Sequence, residues 1–356
     1  MATATAVAVA TGMPAYADHV RDQQWHLSVL HVDQAHQYSD GGGVVVGVVD
    51  TGVDADHPDL ANNVIAGADL ASGSGSGWVD LTGHGTHIAG LIAAHGHGRG
   101  DGALGIAPKA SVLPVTIGNK TAPERQAAGI EWAAEHGARV ICLATGSDFD
   151  DERLRHAVRD AFAHDIVLVA GVGNHPGDSE VLFPARYEGV VAAAGIDRTG
   201  KLADVSVTGP ALVLSAPAVD IVSTAPHAGY GIGVGTSDAT AIIAGAAALV
   251  RARYPNLSAP EVVHRLTATA IDKGPPGRDD QYGYGVVNLV GALTADVPPL
   301  PPSSAASAHP SASARAAPGT QHTSPAIAVA VAVLVAVLAT GGVLLVVRSR
   351  RHGNTP

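Results

Sequence analysis

Three short segments carry residue types that together can break an acyl bond: Asp50-Thr51-Gly52-Val53-Asp54, Gly83-His84-Gly85-Thr86-His87 and Gly235-Thr236-Ser237-Asp238-Ala239-Thr240. A serine hydroxyl is a poor nucleophile near neutral pH and requires a base within hydrogen-bond reach. His84 suits that task, and it can then return the proton to a leaving amine. Asp50 suits the third role, fixing the imidazole tautomer and stabilising the imidazolium. The tetrahedral intermediate bears an oxyanion. Its candidate donors are the backbone N–H of Ser237 and the side-chain amide of Asn174, in Ala170-Gly171-Val172-Gly173-Asn174. Losing one such donor typically costs about 3–4 kcal/mol of transition-state stabilisation. Taken singly, an Asp at a strand end is an ordinary turn residue and a Ser at a helix start an ordinary cap; the joint occurrence carries the chemistry. A base that must be neutral predicts activity rising with pH through about 6–8.

The intervening chain has to carry these residues to one place. Residues 44–49 are almost unbroken valine, the pattern of a strand buried on both faces of a parallel sheet. Residues 112–117, 139–143, 166–170 and 190–194 read the same way. Between them lie helical stretches. One spans 123–136, with Pro123 at its first turn and Gly137 just past its end. Another, 151–163, opens with acids. Ser258 caps a third over 259–270. Gly83 opens a small-residue helix through Ala94, and Gly235 opens an apolar one to about Tyr254. Alternating strands and helices predict an α/β fold, a mostly parallel sheet with helices on both faces. In such sheets ligands gather beyond the carboxyl ends of the strands, and Asp50 and Asn174 lie at such ends.

Asp-Thr-Gly, His-Gly-Thr-His and Gly-Thr-Ser, in that order, resemble the subtilase family, and the order Asp…His…Ser is the one subtilisin uses. The resemblance covers nearly all of residues 44–293. It implies a subtilisin-like fold, serine endopeptidase activity and Asp50, His84, Ser237 and Asn174 as the catalytic residues. It further implies that Ala144-Thr145-Gly146 lies beside an extended polypeptide substrate, with the stretch near Gly118 on its other side. The segment Val20-Arg21-Asp22-Gln23-Gln24-Trp25-His26-Leu27, together with the features of the C-terminus below, is similar to the mycosins, membrane-bound subtilases associated with type VII secretion in actinobacteria. The resemblance implies no organic cofactor; structural calcium, known in some subtilases, stays open because no acidic loop has convincing ligand spacing.

Two positions depart from the family. An apolar residue usually follows the serine and a proline stands four positions after it; here these are Asp238 and Ala241. Asp238 is expected either to oppose the developing oxyanion or to point to solvent as a capping acid. The departures motivate a rival reading, a catalytically silent anchored scaffold of a secretion complex. Other residues read as structural. His87 packs on its helix, Cys142 sits in a core strand, and Gly41-Gly42-Gly43 precedes a strand and so makes a turn, not a phosphate loop. His95 and His97, in a Gly-rich loop, lack an evident third ligand for a metal.

The net charge is −11, with 32 acidic and 21 basic residues, and the first 300 residues hold no useful basic run, which argues against nucleic acid as a partner. A single cysteine rules out an intrachain disulfide. Residues 326–347 carry no charge and as a helix would span about 33 Å, the thickness of a bilayer core. Arg348, Arg350 and Arg351 follow, which places the C-terminus in the cytoplasm and the catalytic domain on the extracytoplasmic side of the cell membrane. Ala15-Tyr16-Ala17 has the form of a signal peptidase site, although no Lys or Arg precedes Arg21. The expected organisation is a signal peptide over 1–17, an N-terminal extension over 18–43, a peptidase domain over 44–295, a Pro/Ala/Ser-rich tether over 296–325, a transmembrane helix over 326–347 and a short tail over 348–356. The extension is too short to bury a core of its own and is expected to wrap the domain.

Overall fold

A computed structural model describes residues 19–98, 100–118 and 122–300. In chain order, three short helices, α1 (Val20–Gln23), α2 (Trp25–Val29) and α3 (Val32–Ala35), precede strand β1 (Val45–Asp50) and the two-residue β2 (Ala68–Asp69). Helix α4 (His84–Ala93) leads into the hairpin β3 (His95–His97) and β4 (Asp101–Leu104). Next come β5 (Ser111–Thr116), α5 (Pro123–Glu135), β6 (Val140–Leu143), α6 (Glu152–Ala163), β7 (Val167–Gly171), β8 (Val191–Ile196) and β9 (Leu214–Pro217). A second hairpin, β10 (Ile221–Ala225) and β11 (Gly229–Gly233), delivers the chain to α7 (Thr236–Arg253), followed by α8 (Ala259–Ala268) and α9 (Leu289–Thr294).

Seven strands form one sheet in the order β2-β5-β1-β6-β7-β8-β9, every pairing parallel. The five expected strands stand within about two residues of their predicted bounds. β2 and β9, which extend the sheet at its edges, and the two hairpins are additions; His95 and His97 lie on a strand of one of these and not in a loop. The central strands are buried throughout, as their unbroken apolar runs require. One apolar layer joins one sheet face to α4 and α7 and the other joins the opposite face to α5 and α6. The α7 helix is buried almost along its length, which explains its Ala-Gly-Ala-Ala-Ala run: small side chains let it lie close across β6, β7, β8 and β9. Ala241, in place of the family's proline, is fully buried in this layer. Helix ends follow local chemistry. Asp151 caps α6 by accepting from the Leu154 amide at 2.9 Å, and Ser258 and Glu261 form a capping box on α8.

The described part of the extension does wrap the domain. Val20, Trp25, Leu30, Val32 and Ala35 are buried in the α4–α7 layer. The Gln24 side chain is tied into two hairpins at once: its amide donates to the Leu104 and Val222 carbonyls at 3.1 Å, and its oxygen accepts from the Leu104 amide at 2.8 Å. The Trp25 indole donates to the Val219 and Asp220 carbonyls. Among the described residues no helix is long and apolar enough to cross a membrane. The expected signal peptide, transmembrane helix and tail, and all but the first residues of the tether, lie outside them.

Candidate active site

Because all seven strands run the same way, their carboxyl ends share one edge, and the candidate residues collect there. Asp50 is the last residue of β1, Ala144 follows β6, Asn174 lies three residues past β7, and Gly118 lies two past Thr116, the register partner of Asp50. Asp50 is 1 % exposed. Its Oδ1 accepts from the Thr51 amide at 2.8 Å and lies 2.7 Å from His84 Nδ1. A carboxylate can only accept, so Nδ1 carries the proton and Nε2 of the neutral ring is left as the basic lone pair. His84, Asn174 and Ser237 line one pocket together with His87, Asp238 and the stretch from Gly231 to Gly235.

The approach of His84 to Asp50 depends on a glycine. A β-carbon at Gly85 would fall 2.1 Å from the Gly52 carbonyl oxygen and 3.3 Å from the Asp50 β-carbon, so no other residue lets α4 start so near the end of β1. A second device is Asp80, which the sequence reading missed. Its carboxylate is buried and accepts from the Thr51 hydroxyl (2.9 Å), the Gly83 amide (2.9 Å), the Thr86 amide (2.8 Å) and the Thr86 hydroxyl (2.7 Å). It thus caps α4 from outside the helix and ties it to the turn after Asp50. The available signal was an acid three residues before the glycine that opens the helix.

On the other side, Ser237 stands in the first turn of α7, where backbone N–H groups lack helical partners. The Thr236 amide donates to Asn174 Oδ1 at 2.8 Å, which fixes the amide flip and leaves Asn174 Nδ2 free to donate elsewhere. The Ser237 hydroxyl donates to the Ala144 carbonyl at 2.9 Å, so it is bonded to the stretch expected to flank a substrate and not to His84. Thr145 accepts from Gln126 at 3.3 Å, and Gly146 lies against Leu182. Gly118 takes a left-handed φ of 82°.

Asp238 does not take the solvent-facing course. It is 3 % exposed, away from solvent, and its Oδ1 lies 2.9 Å from His87 Nε2, while Oδ2 has no partner. His87 is therefore more than packing: it holds this acid at the pocket wall. Burial disfavours the His84 imidazolium, but the charge and hydrogen bond of Asp50, helped by Asp238 and Asp80, outweigh it and push His84 up to about 9. With His84 read as the base, the activity limb is expected above the 6–8 window and not within it. Cys142 is fully buried, and burial pushes its thiol up, in keeping with a core role.

The Subtilase family profile matches residues 41–285, and the chain belongs to that family of serine proteases. It is 38 % identical over 265 residues to Subtilisin DY of Bacillus licheniformis, covering 73 % of this chain and 93 % of that one. Among solved structures it is similar to the MycP3 protease from the type VII (ESX-3) secretion system, at 30 % identity and a TM-score of 0.70 over 82 % of this chain and 93 % of that one. It is likewise similar to the serine protease MycP1, described as an essential component of the type VII (ESX-1) secretion system, at 28 % identity and a TM-score of 0.72 over 82 % and 93 %.

Proposed function

We propose that the chain is a membrane-anchored endopeptidase that hydrolyses peptide bonds through Asp50, His84 and Ser237, acting on the extracytoplasmic side of a membrane in protein secretion of the type VII kind. One observation carries the catalytic part: an imidazole whose Nδ1 is held 2.7 Å from a buried carboxylate lines the same pocket as Ser237 and Asn174.

In this mechanism the Ser237 hydroxyl leaves the Ala144 carbonyl by a step between staggered χ1 wells and gives its proton to His84 Nε2 as the oxygen attacks the substrate carbonyl. Asn174 Nδ2 and the Ser237 amide hold the oxyanion at the positive end of α7. The imidazolium, stabilised by Asp50, then protonates the leaving amine, and a water activated by the same ring hydrolyses the ester. Ala144-Thr145-Gly146, with the Gly118 stretch opposite, pairs with the extended substrate backbone. The silent-scaffold reading has one observation in its favour, the Ser237 hydroxyl bonded to Ala144 and not to His84. A fluorophosphonate probe decides: labelling that disappears in Ser237→Ala supports the peptidase, and folded wild-type protein that takes up no probe supports the scaffold.

Anchoring rests on the uncharged run 326–347 and the arginines after it. It predicts that the protein stays in the membrane fraction after alkaline carbonate extraction and that deletion of 326–347 releases it. The link to secretion rests on the similarity to MycP1 and MycP3.

A further inference from the structure

The chemistry above leaves Asp238 and His87 unused, although both line the pocket beside Ser237 and His84. We propose that this pair floors the subsite for the residue on the leaving-group side of the scissile bond, and that the subsite selects a cationic side chain, lysine or arginine. The proposal rests on the peptidase reading of the site.

Position follows from proton delivery. The leaving amine takes its proton from His84, so the leaving group lies on the side of Ser237 where His84 stands. His87 is three residues further along α4 and shares that face. The first turn of α7 contributes Asp238 to the same wall, and Gly231, Ile232, Gly233 and Val234 close it. Within it, Asp238 Oδ1 is satisfied by His87, but Oδ2 is buried without a hydrogen-bond donor. Buried carboxylate oxygens are rarely left so, because the missing bond is costly.

The surroundings fit a cationic donor. A β-carbon at Gly233 would lie 2.5 Å from Asp238 Oδ2 and 2.7 Å from His87 Nε2, so only glycine lets β11 approach the pair this closely without driving a side chain into it. Ile232 and Val234, both exposed, make an apolar rim. No lysine or arginine lines the pocket to neutralise the acid internally. An apolar rim over a buried carboxylate matches a long aliphatic stem with a charged head. A glutamate there would find a like charge and no donor.

Acyl transfer tests this directly. Full-length protein in detergent is acylated by an ester substrate, and amino-acid amides compete with water for the acyl-enzyme. The Ser237 ester C–O bond breaks as the amine's C–N bond forms, and the amine's proton passes through His84 to the Ser237 oxygen, the reverse of peptide acylation. The nucleophile therefore occupies the leaving-group subsite. Lysine and arginine amides are expected to capture the acyl group about tenfold better than alanine amide, as befits one partly desolvated charge pair. Nε-acetyl-lysine amide loses that advantage, glutamate amide falls below alanine, and Asp238→Asn brings lysine to within about twofold of alanine. Equal capture of lysine and acetyl-lysine by the wild type overturns the proposal, and this comparison stands even where the variant does not fold. A preference that survives in folded Asp238→Asn overturns it as well. An acyl-enzyme without cation preference refutes only this subsite; absence of any acyl-enzyme refutes the peptidase reading and the subsite with it.

Discussion

Replacing Asp238 by asparagine keeps the shape of the side chain and removes one of the carboxylates that hold His84 protonated. Burial alone would keep the ring neutral; Asp50, Asp238 and Asp80 together raise it to about 9. The working base is the neutral ring, so acylation climbs about tenfold per pH unit until the limb is reached. Asparagine withdraws a favourable neighbour from the imidazolium, so the limb moves to lower pH. Charges sharing a partly buried pocket interact by on the order of 1 kcal/mol at an effective dielectric of about 20–40. At about 1.4 kcal/mol per pKa unit, the limb should shift down by roughly 0.5–1 unit. Well below the limb the variant then reacts roughly 3–10-fold faster than the wild type. The assay is the second-order rate of fluorophosphonate labelling across pH 5–10, because the probe's leaving group carries no residue to sample the subsite beside Asp238. A limb that stays in place, or moves up, refutes the reasoning: either His87 already cancels the Asp238 charge, or His84 is not the titrating base.

The other predictions address different parts of the molecule. Asn174→Ala should lower kcat by about 10²–10³-fold with little change in KM, measured on a peptide substrate; a change confined to KM would assign Asn174 to ground-state binding. Asp80→Ala should cost about 2–4 kcal/mol in urea unfolding, since it leaves several buried donors around the start of α4 unpaired. Trp25→Ala should cost about 3–5 kcal/mol in the same measurement, and a loss below about 1 kcal/mol would show that the extension is not integral to the fold. His26 is buried with both ring nitrogens unpartnered, and burial first, then the charge of His87, push its pKa down to about 3. The folded protein thus refuses a proton that the unfolded chain takes below about 6.5, so stability is full above 6.5 and falls by up to about 1.4 kcal/mol per pH unit towards 3. His26→Leu should flatten that slope in urea midpoints taken from pH 7 to 3.5, and an unchanged slope would acquit His26.

Most of the fold was legible because burial on both faces leaves unbroken apolar runs, and residues 44–49 and 166–170 could hardly be anything else. β2 and β9 escaped notice because a two-residue strand has no period and Leu214-Ser215-Ala216-Pro217 is short, interrupted by a serine and proline-terminated; their pairing is imposed by neighbouring strands. The residues that carry chemistry showed through short motifs at strand ends and helix starts, while those that position them did not. Asp80 acts by accepting from amides and hydroxyls whose directions depend on the folded turn. Asp238 looked like a helix-capping acid because position and type fit; its partner lies 151 residues away on α4, a contact no local pattern encodes. The resting bond from Ser237 to Ala144 is a rotamer choice, which sequence leaves undetermined.

The ion pair between His84 and Asp50 sets stability and activity against each other. The folded-state pKa of His84 lies above that of the unfolded chain, so its contribution to stability is complete below about 6.5 and is lost as pH rises through about 9. Catalysis requires the neutral ring, the state in which that contribution is lost. The imidazole must therefore be held in place by something that does not titrate with it. Its site at the first position of α4 favours the same neutral ring, because the positive end of the helix disfavours the imidazolium. What remains when the ring is neutral is the Nδ1–H bond to Asp50, the close approach that Gly85 permits, and the Asp80 carboxylate that ties α4 to the turn after Asp50. Asp80 is the decisive member. Its donors are amides and hydroxyls, none of which loses its proton in the range where His84 does, so the geometry of the base survives the loss of its charge.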